Sequence, residues 1–151
     1  MTITSIPFPI TEPDHHLWDQ ARQLHANQLD PEAREFPDHD DDWHWRLYLI
    51  LDTQNVVGYG SIDTLPSEPT GLYIRWMLIH PDHRNHGLGS RLLHTIAADA
   101  EDAGYTLLSL RPLQGEPSTR LTRYYKRHGF KWAKVSGLRY LQATPTDILT
   151  T

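Results

Sequence analysis

Residues 80–93 read HPDHRNHGLGSRLL, and they set Arg84, Gly87 and Gly89 at an R-x-x-G-x-G spacing. The largely apolar run from Leu72 to Ile79 precedes them, and a helical pattern follows. Each glycine weakens a helix start by about 1 kcal/mol relative to alanine, so two of them imply that the backbone must stay bare. A strand that feeds a glycine-rich turn into a helix N-terminus holds anions. The first-turn N–H groups are unsatisfied, the helix dipole adds roughly half a positive charge, and glycine lets a pyrophosphate approach. Arg84 either adds a charge-assisted contact or buttresses the turn. The dinucleotide fingerprint needs a third glycine where Ser90-Arg91-Leu92 stands, and the nucleoside-triphosphate loop needs Gly-Lys-Ser/Thr; neither is present.

Outward from this turn, Leu88, Leu92, Leu93, Ile96, Ala97, Ala100 and Ala103 fall on one helix face, with Gly104 at the expected C′ position. YTLLSLRP then reads as a strand, which makes a right-handed strand–helix–strand crossover. Upstream, RLYLILD and VVGYGSID read as a hairpin joined by Thr53-Gln54-Asn55. A helix is expected over 14–29 with Asp14 as its N-cap, and TITSIPF is expected as a first strand. DPEAREFPDHDDDW reads as a short helix followed by an acidic loop. Downstream of the loop PLQGEP, a helix capped by Ser118 runs to about His128, and FKWAKV and LRYLQA close the chain as strands around Ser136-Gly137. Residues beyond Ala143 are polar and expected to fray.

The 151 residues, with no repeat or low-complexity linker, are read as one domain spanning 1–151. A net charge of −5 argues against nucleic-acid binding, because no basic excess is there to displace counterions. No apolar run approaches the ~20 residues of a spanning helix, and MTITSIPFPITEPD resembles no secretory signal, so the expected location is cytoplasmic and off the membrane. The absence of cysteine excludes disulfides, thiolate metal sites and a Cys nucleophile, and no HxxxH or HExxH spacing suggests zinc, so no metal is expected.

The stretch MLIHPDHRNHGLGSRLL resembles the acyl-CoA-binding motif of the GNAT family, the acetyl-CoA-dependent N-acetyltransferases. RYYKRHGF, residues 123–130, is similar to that family's second signature, and the ~35 residues between the two motifs suit the intervening helix and strand. The resemblance implies an α/β (α+β) fold with a mixed, largely antiparallel twisted sheet flanked by helices and splayed at the cofactor cleft. Acetyl-CoA is then the implied cosubstrate. Met77, Leu78 and Ile79 would lie along its pantetheine arm, with the Ile79 N–H facing the thioester carbonyl. The turn residues Arg84, Asn85, His86, Gly87, Leu88, Gly89 and Ser90 would hold the pyrophosphate. Tyr125 matches the motif tyrosine that protonates the departing sulfur, and Tyr124, about 100° round the helix, is read as the core residue. Ser118 stands where relatives carry a cofactor-contacting asparagine, and is either that contact or only an N-cap.

Amine acetylation needs a neutral nucleophile, and a primary amine with a pKa near ~10.4 must first lose a proton. The family's usual glutamate is absent, because GLYIRWMLI carries Arg75 near that place and no carboxylate. His80, His44 and Tyr73 are alternatives to a water-mediated route; His80 also reads as a turn residue and Tyr73 as strand packing. DHDDDWHW, residues 38–45, either recruits a cationic amine or is a solvated acidic loop. The basic residues Arg120, Arg123, Lys126 and Arg127 either face the adenosine phosphate or are solvated. The expected activity is transfer of an acetyl group to a primary amine, in a small molecule or a peptide, by direct attack in a ternary complex. A CoA-binding module with weak turnover and an acyltransferase for longer acyl-CoA are the alternatives. Monomer and homodimer are both compatible with the sequence.

Overall fold

A computed structural model describes the backbone of residues 1–111 and 116–151 and the side chains of 1–111 and 120–151. Its seven strands are β1 (Thr2–Pro7), β2 (His44–Asp52), β3 (Asn55–Thr64), β4 (Gly71–Ile79), β5 (Leu107–Leu110), β6 (Lys131–Val135) and β7 (Leu138–Ala143). Helices α1 (His15–Gln28), α2 (Leu88–Asp102), α3 (Glu116–Arg127) and α4 (Pro145–Leu149) complete the α/β chain. The sheet order is β1-β2-β3-β4-β5-β7-β6. Pairing is antiparallel for β1–β2, β2–β3, β5–β7 and β6–β7, and parallel for β4–β5, as a helical crossover between those two strands requires.

The chain divides into two compact units, 1–64 with 74–92 and 65–73 with 93–151. In the first, β2 and β3 alternate poorly: residues 47–50 and 57–63 are buried in unbroken runs, as strand segments covered on both faces should be. Their core includes Ile6, Leu47, Leu49, Tyr59 and Leu78, against which α1 sets Ala21 and Leu24. A register shift between His44 and Arg46 bulges β2 at its start. Gly58 is closely packed: a Cβ there would meet the tip of Ile79, Cδ1, at 2.9 Å and the Leu78 carbonyl oxygen at 3.1 Å.

In the second unit, Leu93, Ile96, Ala97 and Ala100 are fully buried along α2, the face the apolar spacing defines. The β4–β5 ladder runs from Gly71↔Leu107 to Tyr73↔Ser109, and the last six residues of β4, Ile74–Ile79, lie beyond it.

Several expectations are corrected. Residues 30–43 form turns and bends with no helix: Ala33 takes a φ of +51°, which breaks any helical run, and the chain turns so that Phe36 is buried in the core. Asp14 does occupy the N-cap of α1, but its side chain makes no capping bond. Helix α3 starts at Glu116, so Ser118 lies inside it and is not the cap. The tail is ordered as α4, capped by Thr144, whose side chain accepts the Asp147 N–H at 3.1 Å, and anchored by the fully buried Ile148.

Candidate active site

The turn between β4 and α2 has the geometry its glycines imply. A short 3₁₀ segment, Pro81–His83, follows His80, whose ring Nδ1 accepts the Asp82 N–H at 3.1 Å. His80 is thus a capping turn residue. Asn85 and Gly87 adopt φ of +65° and +77°, the left-handed region that glycine enters without strain. A Cβ at Gly87 would meet nothing within 4 Å, so the backbone there borders open space. Leu88, the first residue of α2, is buried and pins the helix start, whereas Arg84, Asn85 and His86 are exposed and Gly89 and Ser90 half-buried.

Arg84 acts as the buttress. Its Nε–H donates to the Ile79 carbonyl oxygen at 2.8 Å, which ties the turn back to the end of the strand. Met77 and Ile79 are half-buried and Leu78 is buried. Within one unit, then, Met77–Ile79 and Arg84–Ser90 stand together around an open helix N-terminus. A bare backbone turn at a helix start is a place where an anionic group can approach the chain.

Tyr125, in the second unit, is 7% exposed, and its ring meets Phe130 edge-on at 5.3 Å and Tyr124 at 5.3 Å. Burial, with a smaller effect of Tyr124, pushes its phenol above the usual range. Tyr124 is only half-buried, so the expectation that Tyr124 is the core tyrosine is reversed. The Ser118 side chain lies outside the described residues. Tyr73 packs edge-on against Tyr140 at 6.4 Å, in keeping with a strand-packing role.

A second cluster joins His44 and Arg75 to Asp63, a residue the sequence does not single out. Asp63, near the end of β3, is 1% exposed. Its Oδ1 lies 2.5 Å from His44 Nδ1, and its Oδ2 accepts the Arg75 Nε–H. His44, also buried, turns Nε2 to Asp41 Oδ2 at 3.1 Å. Asp63 and His44 are cross-strand partners, set where the β2 bulge re-aims the chain. Strand β4 itself carries no carboxylate, and Asp63 on β3 is bonded to its Arg75. Its only sequence signal is a charged residue ending the buried run VVGYGSID.

The turn and the fold define an acetyltransferase architecture. Residues 11–130 match the family model described as the acetyltransferase (GNAT) family, and the chain belongs to that family. A mycothiol acetyltransferase from Nocardiopsis dassonvillei is 34% identical over 59 residues. That stretch is 39% of this chain and spans only 17% of the relative's length. Among solved structures, GCN5 from Tetrahymena superposes with a TM-score of 0.73 at 13% identity, over 95% of this chain and 96% of that one. The ribosomal-protein-S18-alanine N-acetyltransferase of Escherichia coli gives 0.69 at 12%, over 95% and 94%. Identities this low establish the fold alone. Among the described residues no helix is long and apolar enough to cross a membrane.

Proposed function

We propose that this chain, acting as one acetyltransferase domain, moves an acetyl group from acetyl-CoA to a primary amine by direct attack. The observation that carries the reading is the open turn at Asn85–Gly87, braced by Arg84 on Ile79, in a chain of the GNAT family. Acetyl-CoA would supply an acyl carbon already activated as a thioester. The N–H groups from Arg84 to Ser90 would hold its pyrophosphate, and the strand end Met77–Ile79 would lie along its pantetheine arm. The Ile79 N–H would stabilise negative charge on the thioester oxygen, the kind of donor that lowers acyl-transfer barriers most. Tyr125 is assigned, on its motif alone, as the proton donor to the departing thiolate, and like any tyrosine it carries that proton at neutral pH.

The amine attacks as the neutral base, so its own proton must leave first, and the thiolate regains one as it departs. Two measurements test the reading together. Acetyl-CoA at about a hundred times its dissociation constant should stabilise the folded chain by roughly 2.7 kcal/mol. Addition of primary amines should then release free thiol. A folded sample that shows no thermal shift with acetyl-CoA overturns the reading; a shift without thiol release from any amine supports a CoA-binding module, and faster release from longer acyl-CoA redirects the donor.

A further inference from the structure

Three strands of one unit meet at Asp63. Its two oxygens engage His44 from β2 and Arg75 from β4, and both of those side chains in turn bear on Trp43. The His44 and Trp43 rings lie 3.7 Å apart between centroids, and the Arg75 guanidinium carbon sits 5.4 Å from the Trp43 ring centre. His44 also reaches Asp41 at 3.1 Å. One buried carboxylate therefore fixes an exposed indole and a partly exposed carboxylate side by side. Trp43 is 47% exposed and the Asp41 side chain 35%. Both line a cavity of about 190 Å³, with Glu35 and Arg75 also in its wall.

The charge balance of that wall is negative. Around it, Arg75 is paired with Asp63, Arg34 with Glu32 and Asp41 with His44, and Glu35 adds a further carboxylate to the wall, so four carboxylates stand against two arginines. A carboxylate beside an aromatic face selects an organic cation, because the charge gains a charge-assisted hydrogen bond and the apolar body gains contact with the ring.

We propose that this cavity binds an organic primary ammonium ion, its nitrogen against Asp41 and its body against Trp43, and that Asp63 is the positioning residue that holds both. That the bound ion is the acetyl acceptor rests on the function proposed above; the binding itself does not. The acidic stretch of residues 38–45 then has a division of labour, with Asp41 at the ligand, Trp43 as the platform, and His44 as the link to the core.

The test is calorimetric titration of the wild-type chain with 2-phenylethylammonium and with its uncharged counterpart 2-phenylethanol at neutral pH. The expected result is tighter binding of the ammonium by about ten-fold or more. Asp41→Asn, at the rim, should bring the two ligands within about two-fold of each other by removing the charge alone. Asp63→Asn should lose the preference as well, although it never touches the ligand, and loss of preference with retained affinity for the alcohol is not what general loosening would give. Should Asp63→Asn fail to fold, His44→Gln breaks the same link. A wild type that binds both ligands equally overturns the proposal, as does a folded Asp41→Asn that keeps the preference. Acetyl-CoA titrations run beside these. If the wild type ignores acetyl-CoA yet prefers the ammonium, the acetylation reading falls and the cation site stands.

Discussion

Arg84 and Ile79 are joined by a side-chain-to-backbone hydrogen bond of 2.8 Å that closes the loop between strand and helix from the solvent side. The bond spends an exposed guanidinium on holding the turn's shape, so the proposed phosphate site is organised before any ligand arrives. Arg84→Ala should weaken acetyl-CoA binding by about 1 kcal/mol, or about five-fold, the scale of one partly exposed hydrogen bond to a charged donor. Because Arg84 is exposed, the urea midpoint should move little. Calorimetric titration of the variant, with unfolding curves alongside, checks both halves.

Two glycines hold this region by different means, and their replacement should fail differently. Gly58 lies under the end of β4, where a Cβ would strike Ile79 Cδ1 at 2.9 Å and the Leu78 carbonyl oxygen at 3.1 Å. Gly58→Val crowds the Ile79 side chain and the Leu78 backbone, and overpacking of this kind costs about 1–3 kcal/mol. Gly87, at φ +77°, has space around it but not the conformation, so Gly87→Ala should cost about 1–2 kcal/mol of strain alone. Gly58→Val should therefore lower both stability and acetyl-CoA affinity by displacing Leu78 and Ile79. Thermal unfolding with and without acetyl-CoA separates the two contributions.

What the sequence made legible follows from what is local. The turn, its glycines, the apolar face of α2 and the β2–β3 hairpin are each specified within about a dozen neighbouring residues, and each stands in the fold where spacing and turn chemistry put it. Asp63, His44 and Arg75 come from three strands, 19 and 12 residues apart, and meet only because β3 lies between β2 and β4 in the sheet, with the β2–β3 register setting His44 against Asp63. No periodicity within one strand carries that information. The short helix expected near residue 30 fails for the opposite reason: a local pattern was overridden when Phe36 found a place in the core and the backbone turned to deliver it. The tail is polar in sequence, yet one fully buried Ile148 and the Thr144 cap are enough to order it.

His25 sets a pH dependence on stability. It is fully buried in α1, with Tyr59 OH 2.5 Å from Nδ1 and the Phe36 and Trp76 rings around it. Burial lowers its pKa below 6.5, and the opposing charges of Asp30 and Glu35 only partly offset this. The unfolded chain therefore takes up a proton that the folded chain resists. Above the unfolded value both states are neutral at this site and stability is unaffected. As pH falls through about 6.5 toward the lower folded value, stability is lost. Urea midpoints measured from about pH 8 down to about pH 5 should decline, and His25→Gln, although less stable throughout, should show a shallower decline. Parallel curves would assign the effect to other groups.

Tyr125 carries the last prediction. The phenol is buried against Phe130, burial pushes its pKa up, and like any tyrosine it holds its proton at neutral pH. Coenzyme A leaves as a thiolate, whose basicity is comparable to that of a cysteine with a pKa near ~8.5, and a departing thiolate gains from a proton delivered as the C–S bond breaks. Tyr125→Phe keeps the ring, its edge-on contact and its volume, and removes only the hydroxyl. The variant should fold, should bind acetyl-CoA with an affinity close to wild type, and should lose about 10²-fold or more in kcat where the chemical step limits the rate. The loss should appear equally in kcat and kcat/KM, because a proton given only in the transition state contributes nothing to ground-state binding. Tyr124→Phe, one residue away and half-buried, serves as the control and should retain its rate. If Tyr125→Phe turns over at the wild-type rate under those conditions, the thiolate takes its proton from solvent, and the tyrosine's place in the second motif is one of packing beside Phe130.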